Sequence, residues 1–240
     1  KKLEDVKDLP EKVVKEAVFG SQFHTICSGG AYLNPDYIEL FERFGIQILQ
    51  GYGMTECSPV ISTTVAWNVK KNSVGQLLPN CEAKTVDGEL WVRGSSVMQG
   101  YYKMPEETKT ALKDGWLCTG DLGYVDEERF IYLTGRKKNL IITKNGENVS
   151  PEELENKLSS SRLVQEVLVR EAKGVIEAEI YPDEEYAKKQ GLERKKEVRL
   201  ELQKLIDEYN QGAPAYKKIY SLIIREKEFE KTASRKIKRY

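Results

Sequence analysis

The sequence has little histidine, no closely spaced cysteine pair and no long apolar run. Its 240 residues contain one histidine, His24, which excludes sites built on two histidine ligands or on a histidine relay. The four cysteines form no CxxC pair, so we predict buried thiols at Cys27, Cys57, Cys81 and Cys118. No run approaches the roughly 20 apolar residues of a membrane-spanning helix, and the charged amino-terminal residues are unlike a signal peptide. We therefore expect a cytoplasmic protein.

The chain also lacks an excess of either charge. Its 38 Lys and Arg residues balance 38 Asp and Glu residues, and 40% of the residues are hydrophobic. This composition is typical of a globular protein of one or two domains and excludes a disordered chain. It also disfavours a nucleic-acid binder that depends on bulk positive charge.

The apolar pattern predicts three regions that differ in secondary structure. The first is α/β, with helices over Val6–Phe19 and Tyr37–Phe44 and strands over Phe23–Cys27 and Ile46–Gln50. Asn34-Pro35 is typical of a helix start, and Gly45 of a helix end. The second region, Ser73–Arg136, is rich in strands and turns around one helix, Pro105–Leu112.

The third region follows a boundary near Arg136–Asn139 and reads as a small α+β domain. Ser150, Pro151 and Glu153 predict a helix start with a capping box. The other predicted elements are strands over Lys138–Ile142, Val164–Val169, Val175–Tyr181 and Ile219–Ile224, and an amphipathic helix over Lys195–Asn210. The fold class is therefore α/β followed by α+β.

Three segments carry polar and glycine residues that core packing would not require. In the first, Gly51–Glu56, paired glycines allow close backbone approach to a ligand, and Tyr52 offers a flat face for a base. Thr55 and Glu56 offer the hard oxygen groups that suit phosphate and Mg²⁺. The alternative is a turn in which Thr55 caps the next helix.

The second segment runs from Asp114 to Asp121 and is followed later by Thr134–Asn139. Asp121 in a glycine-flanked turn can accept two ribose hydroxyls, and Arg136 can reach the same sugar or a phosphate. The alternative is an aspartate that serves its own turn. The third segment, Lys231–Arg239, is basic, which indicates a solvated terminus, a weak nucleic-acid patch or ordered use of one lysine.

Taken together, these segments resemble the adenylate-forming superfamily of acyl-CoA synthetases, adenylation domains and luciferases. The matching motifs, in chain order, are Ser28–Leu33, Tyr52–Glu56, Gln99–Tyr102, Pro105–Thr108, Thr119–Asp121, Gly135–Asn139, Asn145–Glu155 and Lys231–Ile237. The resemblance spans nearly the whole chain. It implies that residues 1–137 are the carboxyl-terminal portion of the large domain, and residues 138–240 the small mobile carboxyl-terminal domain. The family's glycine-rich, lysine-containing phosphate loop does not occur before Gly51, so we expect a chain that begins mid-protein.

The resemblance implies a role for each matched residue. In this family a carboxylate attacks Mg·ATP to give an acyl-adenylate, and a thiol, usually that of CoA, then displaces AMP. Thr55 would contact phosphate, Glu56 would hold Mg²⁺ and Lys236 would bridge the α-phosphate and the carboxylate. The nucleotide-binding residues would be Gly29, Gly30, Ala31, Gly51, Tyr52, Gly53, Asp121 and Arg136.

The second half-reaction involves other residues of the small domain. Lys138 falls at the family's hinge, and Gly146, Glu147 and Asn148 would lie near CoA after the domain rotates. Two positions depart from the family's tail motif: Glu230 and Arg235 stand where proline and glycine are usual. A bulky Arg235 is expected to resist a positive φ, which would alter the loop that carries Lys236.

Gly51–Ser62 and Val74–Pro79 look most like long-chain fatty acyl-CoA synthetases. We therefore predict a fatty acid–CoA ligase, AMP-forming, with ATP, Mg²⁺, a long- or medium-chain carboxylic acid and CoA as small-molecule partners and no nucleic acid. The isolated chain is expected to be inactive and to self-associate. Peripheral membrane association is a further possibility for the parent enzyme. The alternatives are an enzyme for aryl or amino acids, and a non-catalytic nucleotide-binding or interaction protein.

Overall fold

The computed structural model describes residues 10–192, 194–233 and 235–239. They form two compact units, which divide between Leu133 and Thr134. The predicted helix over Val6–Phe19 is observed as α1, Glu11–Val18, and its residues 6–9 lie outside the described residues. Ser234, within the tail motif, also lies outside them.

The first unit begins with a parallel strand pair joined by a helical crossover. Strand β1 (Thr25–Gly29) leads through helix α2 (Pro35–Arg43) to strand β2 (Gln47–Gly53), and β1 and β2 are parallel neighbours. Asn34 caps α2 by accepting the Asp36 N–H at 2.9 Å, as its position predicts. A 3₁₀ turn, Thr55–Cys57, follows β2. Strands β3 (Val60–Thr63) and β4 (Gln76–Leu77) complete an antiparallel extension of this sheet.

The rest of the first unit is a five-stranded sheet. Its elements are β5 (Cys81–Val86), β6 (Glu89–Gly94), α3 (Pro105–Ala111), β7 (Leu112–Lys113), β8 (Trp116–Val125) and β9 (Ile131–Arg136). The last three residues of β9 belong to the second unit. The spatial order is β5-β6-β8-β7, and β9 pairs with β8. The core beneath it consists of buried apolar side chains that include Ile61, Leu90, Val92, Leu117 and Ile131.

The second unit is a three-stranded sheet covered on one face by helices. After a 3₁₀ turn (Lys137–Asn139) and the short hairpin of β10 (Ile141–Ile142) and β11 (Asn148–Val149), the elements are α4 (Pro151–Leu158), β12 (Val164–Ala172), β13 (Val175–Pro182), α5 (Glu184–Lys189), α6 (Lys195–Gly212) and β14 (Ile219–Ile224). Strands β12 and β13 are antiparallel, and β14 lies parallel to β13. Helices α4 and α6 pack Leu154, Leu158, Leu202 and Ile206 into the core.

Three expectations from the sequence are wrong in detail. The strand expected over Lys138–Ile142 is reduced to Ile141–Ile142, because a 3₁₀ turn occupies its first residues. Helix α4 starts where predicted, but the Ser150 hydroxyl donates to Glu152 Oε2 at 3.0 Å instead of capping the helix. Glu153, the expected partner in the capping box, accepts from Lys217 Nζ at 2.6 Å.

The cysteines are all free, but two of them are not buried. Cys57 and Cys81 lie in the core, whereas Cys118 is half-buried and Cys27 is exposed. Cys27 is exposed because it lies on β1, whose residues alternate between exposed and half-buried. Burial and the neighbouring Cys81 and Glu56 raise the pKa of the Cys57 thiol to about 12, which keeps it protonated at neutral pH.

Candidate active site

The glycine-rich segments predicted to bind a nucleotide meet at one edge of the first sheet. Gly29 and Gly51 are register partners at the carboxyl ends of the parallel strands β1 and β2. A Cβ on Gly29 would lie only 2.9 Å from the Gly51 carbonyl oxygen, so the close approach of the two backbones requires glycine at position 29. Gly30 follows with φ +82° and turns the chain towards Ala31. This edge is where open α/β sheets bind ligands.

Tyr52 connects this edge to Asp121 on strand β8. The Tyr52 hydroxyl donates to Asp121 Oδ2 at 2.7 Å, and the two residues are 8% and 5% exposed. A carboxylate has about four lone-pair positions, so it can accept more hydrogen bonds than this one. The fold thus brings together two predicted site residues that are 69 positions apart in the sequence.

The part of strand β8 that presents Asp121 is held in place by polar side chains. Thr119 Oγ1 donates to the Leu90 carbonyl at 2.6 Å and accepts the Asp121 N–H at 3.1 Å. Gly120, at φ +71°, donates its N–H to Glu89 Oε1 at 2.9 Å. The bonds are made by buried side chains, so they fix the backbone on both sides of the aspartate.

Thr55 and Glu56 follow directly from β2 in the 3₁₀ turn. Thr55 is exposed and Glu56 is half-buried. The Glu56 carboxylate accepts from the Tyr101 hydroxyl at 2.8 Å, and burial, followed by this hydrogen bond, raises the pKa of Tyr101. The Glu56 carbonyl accepts the Met98 N–H at 2.8 Å. Tyr101 therefore orients the carboxylate, a role that the sequence did not suggest although its motif was noted.

Gly53 shapes the same turn by steric necessity. A Cβ on Gly53 would lie 1.9 Å from the Pro59 carbonyl oxygen. That carbonyl accepts the Met54 N–H at 2.8 Å, which closes the loop carrying Thr55 and Glu56.

The described residues contain no cluster of three or more His, Cys, Asp or Glu side chains that could hold a metal ion. Glu56 alone offers a carboxylate at the turn, beside the Thr55 hydroxyl. One carboxylate is compatible with Mg²⁺, because proteins usually hold this ion with one or two carboxylates together with substrate phosphates and water.

The remaining predicted site residues belong to the second unit. Arg136 and Lys138 are exposed, the latter in the 3₁₀ turn. Gly146, with φ +82°, and Glu147 form the tip of the β10–β11 hairpin. The Thr143 N–H closes the hairpin by donating to the Glu147 carbonyl at 2.9 Å. Asn148 begins β11. All three of these residues are exposed.

Lys236 lies in a second hairpin at the end of the chain. Lys231 and Ile237 form an antiparallel bridge, and the Thr232 N–H donates to the Lys236 carbonyl at 2.8 Å. Arg235 has φ +60°, so it adopts the positive φ that its bulk was expected to resist. The hairpin hydrogen bonds impose this conformation, and the expectation about Arg235 is therefore wrong.

Two sequence profiles of one enzyme family match most of the chain. The sequence profile described as AMP-binding enzyme matches residues 3–102, and that of the AMP-binding enzyme C-terminal domain matches residues 138–240. This chain belongs to the AMP-binding enzyme family. The expected family and fold class are thereby confirmed.

Several curated AMP-binding relatives are CoA ligases. The chain is 39% identical over 171 residues to the long-chain-fatty-acid–CoA ligase FadD15 of Mycobacterium bovis, which covers 70% of this chain and 28% of that protein. It is 41% identical over 165 residues to the 4-coumarate–CoA ligase-like 4 of Oryza sativa subsp. japonica, covering 62% and 30%. The chain thus spans less than a third of the length of these relatives.

Solved structures of AMP-binding enzymes share the fold. The o-succinylbenzoate CoA synthetase of Bacillus subtilis, solved with its acyl-adenylate intermediate, has a TM-score of 0.74 and 30% identity and covers 89% of this chain and 44% of that one. The same enzyme has also been solved with ATP and a magnesium ion, at 29% identity and a TM-score of 0.72.

No helix among the described residues is long and apolar enough to cross a membrane.

Proposed function

We propose that the chain is the carboxyl-terminal part of an AMP-forming acid–CoA ligase that activates a long- or medium-chain fatty acid in the cytoplasm. The observation that carries the proposal is the convergence of the Gly29 turn, the buried Tyr52–Asp121 hydrogen bond and the Glu56 carboxylate at one sheet edge. Glycine turns admit a nucleotide, a buried carboxylate binds a sugar, and a hard oxygen ligand suits a phosphate-bound cation.

In the first half-reaction these side chains position the nucleotide and balance its charge. Asp121 accepts the ribose hydroxyls while Tyr52 holds the carboxylate in place and lies beside the base, and Arg136 assists at the sugar. Thr55 donates to a phosphate oxygen, and Glu56 is the residue that would hold Mg²⁺, which supplies charge neutralisation when bound. Lys236 stabilises the negative charge on the α-phosphate as the acid attacks.

In the second half-reaction the small domain turns about Lys138. The exposed hairpin tip of Gly146, Glu147 and Asn148 then replaces Lys236 at the site, and its glycine leaves room for the pantetheine arm of CoA. A boundary at residue 138 is part of this proposal.

Fatty-acid specificity is supported by the names of four bacterial relatives and by the Gly51–Ser62 sequence. An aryl acid is the second candidate, because 4-coumarate–CoA ligase-like relatives match at 41% identity. Pyrophosphate release by the full-length enzyme with hexadecanoate, decanoate, 4-coumarate and o-succinylbenzoate separates the two. Turnover of only the aryl acids would overturn the fatty-acid assignment, and no turnover with any acid would favour a non-catalytic binding protein.

Lys236→Ala in the full-length enzyme tests whether Lys236 acts only in the first half-reaction. We expect acyl-AMP formation to slow by about 10²–10³-fold, as when one donor to a transition-state oxyanion is lost. Conversion of supplied acyl-AMP and CoA to acyl-CoA should survive, with Lys238→Ala as the matched control for both assays. Equal loss in the two assays would show that Lys236 does not act in the first step alone.

A further inference from the structure

The hairpin that carries Lys236 is attached to the second unit at both of its ends. We call its described residues, 230–233 and 235–238, the lysine hairpin. Its backbone bonds join Thr232 to Lys236 and, at 2.9 Å, the Lys238 N–H to the Glu230 carbonyl. The Lys236 ammonium has no hydrogen-bond or ion-pair partner among the described residues, so the hairpin presents it to solvent.

Glu166 on strand β12 holds the entering arm. Its side chain is 9% exposed, and its two oxygens have different partners. Oε2 accepts the Phe229 N–H at 2.8 Å, and Oε1 forms an ion pair with Lys231. One carboxylate thus fixes both the backbone and a side chain where the hairpin begins.

Glu155 on helix α4 holds the leaving arm through the side chain of Arg239 alone, and its other oxygen is bound to strand β12. Its Oε1 accepts the Val169 N–H at 2.7 Å, and its Oε2 accepts from the Arg239 guanidinium. Arg239 also pairs with Glu152 at 3.5 Å. The Glu155 side chain is 12% exposed and that of Arg239 is 28% exposed, so the carboxylate is the better shielded partner.

Ion pairs with a buried carboxylate add little to the stability of a domain, because such pairs often contribute no more than apolar residues of similar volume. They do, however, impose a unique geometry on the groups they join. Both glutamates lie on regular elements that pack into the core of the unit. The apolar face of α4 and the strand β12 therefore provide a rigid support for the hairpin.

We propose that Glu155 and Glu166 are positioning residues that fix the lysine hairpin to the small domain, so that Lys236 moves with that domain as one rigid body. The positioning itself is a property of this chain. Its effect on catalysis rests on the proposed function of Lys236.

Hydrogen exchange measured on the 240-residue chain tests directly whether the two glutamates position the lysine hairpin. Glu155→Gln and Glu166→Gln keep the size and the backbone hydrogen bond of each side chain but remove its charge. We expect exchange in the peptide over residues 230–238 to rise by about tenfold or more, as the loss of a hydrogen bond between charged groups would produce. The peptide over Ile219–Ile224 should be unchanged.

The matched control is Glu226→Gln, which removes an exposed ion pair with Lys195 in the same unit. It should leave both peptides unchanged. If either glutamine variant fails to fold, Lys231→Met and Arg239→Met remove the same ion pairs, and Lys231→Arg and Arg239→Lys should restore protection. Unchanged exchange in the folded variants would overturn the proposal.

Half-reaction assays on the full-length enzyme test the catalytic consequence. Glu155→Gln and Glu166→Gln should lower kcat for acyl-AMP formation about ten- to a hundredfold, a typical cost of misplacing a catalytic group. Acyl-CoA formation from supplied acyl-AMP should change little. If Lys236→Ala has no effect on the first step, the proposed function of Lys236 fails, whereas the exchange experiment still decides whether the glutamates position the hairpin.

Discussion

Among single residues, Asp121 shows how the fold prepares a carboxylate for binding. Its backbone N–H is held by Thr119 and its side chain by Tyr52, so neither can turn freely. A group held in one orientation before the ligand arrives loses less entropy on binding. Tyr52 therefore contributes to binding through Asp121 as well as through its own ring.

Tyr52→Phe isolates that contribution. The variant keeps the ring but removes the 2.7 Å bond to Asp121. We expect the free energy of unfolding to fall by about 1.5–3 kcal/mol, the usual value for a hydrogen bond to a charged group, and AMP binding to weaken. Urea unfolding and calorimetric titration with AMP measure the two effects. Tyr102→Phe, at a tyrosine 85% exposed, is the control, and equal stability of the two variants would contradict the prediction.

Glu155 gives the stability of the chain a dependence on pH. Burial raises its pKa to about 7, against the opposing effects of Arg239 and the Val169 N–H, and Glu152 raises it further. Because the folded state then holds the proton more tightly than the unfolded state, this group's contribution is fully present below about pH 4.5. It is lost as the pH rises to about 7.

Glu155→Gln should remove this dependence, because the amide does not titrate. We expect the difference in the free energy of unfolding, variant minus original chain, to rise by a few kcal/mol from about pH 5 to about pH 8, at about 1.4 kcal/mol per pKa unit. Denaturant unfolding at a series of pH values checks this. Glu208→Gln, at an exposed position of α6, should show a constant difference, and a constant difference for Glu155→Gln would refute the prediction.

Among the elements, the β2–β3 connection depends on a single glycine. Gly53 pairs with Val60 after a register shift, and its Cα faces the Pro59 carbonyl. Gly53→Ala should lower the free energy of unfolding by about 1–3 kcal/mol, the usual cost of overpacking, and displace Thr55 and Glu56. Gly51→Ala is the matched control, because its Cβ would meet only the Ser62 carbonyl oxygen at 3.7 Å. Thermal unfolding should separate the two variants, and similar losses would count against a steric role.

Local signals in the sequence were sufficient for most of these elements. Asn34 starts α2 as predicted, and the spacing of Leu202 and Ile206 identifies the buried face of α6. The prediction of a capping box at Ser150 was wrong because Glu153 forms an ion pair with Lys217, 64 positions away. The prediction for Arg235 was wrong for a related reason, since the hairpin imposes a backbone conformation that this residue type disfavours.

The candidate site was predictable only in part for the same physical reason. Its motifs are contiguous in sequence, so Tyr52, Glu56 and Asp121 could be identified individually. Their supporting partners are distant in the sequence: Tyr101 lies 45 positions from Glu56, and Tyr52 lies 69 positions from Asp121. Such pairings are set by the packing of the whole sheet, so a local sequence pattern does not predict them.

At the scale of the whole molecule, each unit has its own hydrophobic core. One core cluster contains residues between Tyr52 and Ile131, and the other contains residues between Ile141 and Leu222. Domains with separate cores can unfold in separate transitions. The chain offers a probe for this, because its three tryptophans, Trp67, Trp91 and Trp116, all lie in the first unit.

Leu154→Ala should therefore destabilise the second unit alone. Leu154 is completely buried in the second core, and such a truncation costs about 2–5 kcal/mol. We expect the circular-dichroism melt to gain an earlier transition while the tryptophan-fluorescence midpoint stays in place. The reciprocal variant, Leu90→Ala in the first core, should lower the fluorescence midpoint. If Leu154→Ala shifts the fluorescence midpoint as far as it shifts the circular-dichroism melt, the two units unfold together, and the lysine hairpin then depends on both cores.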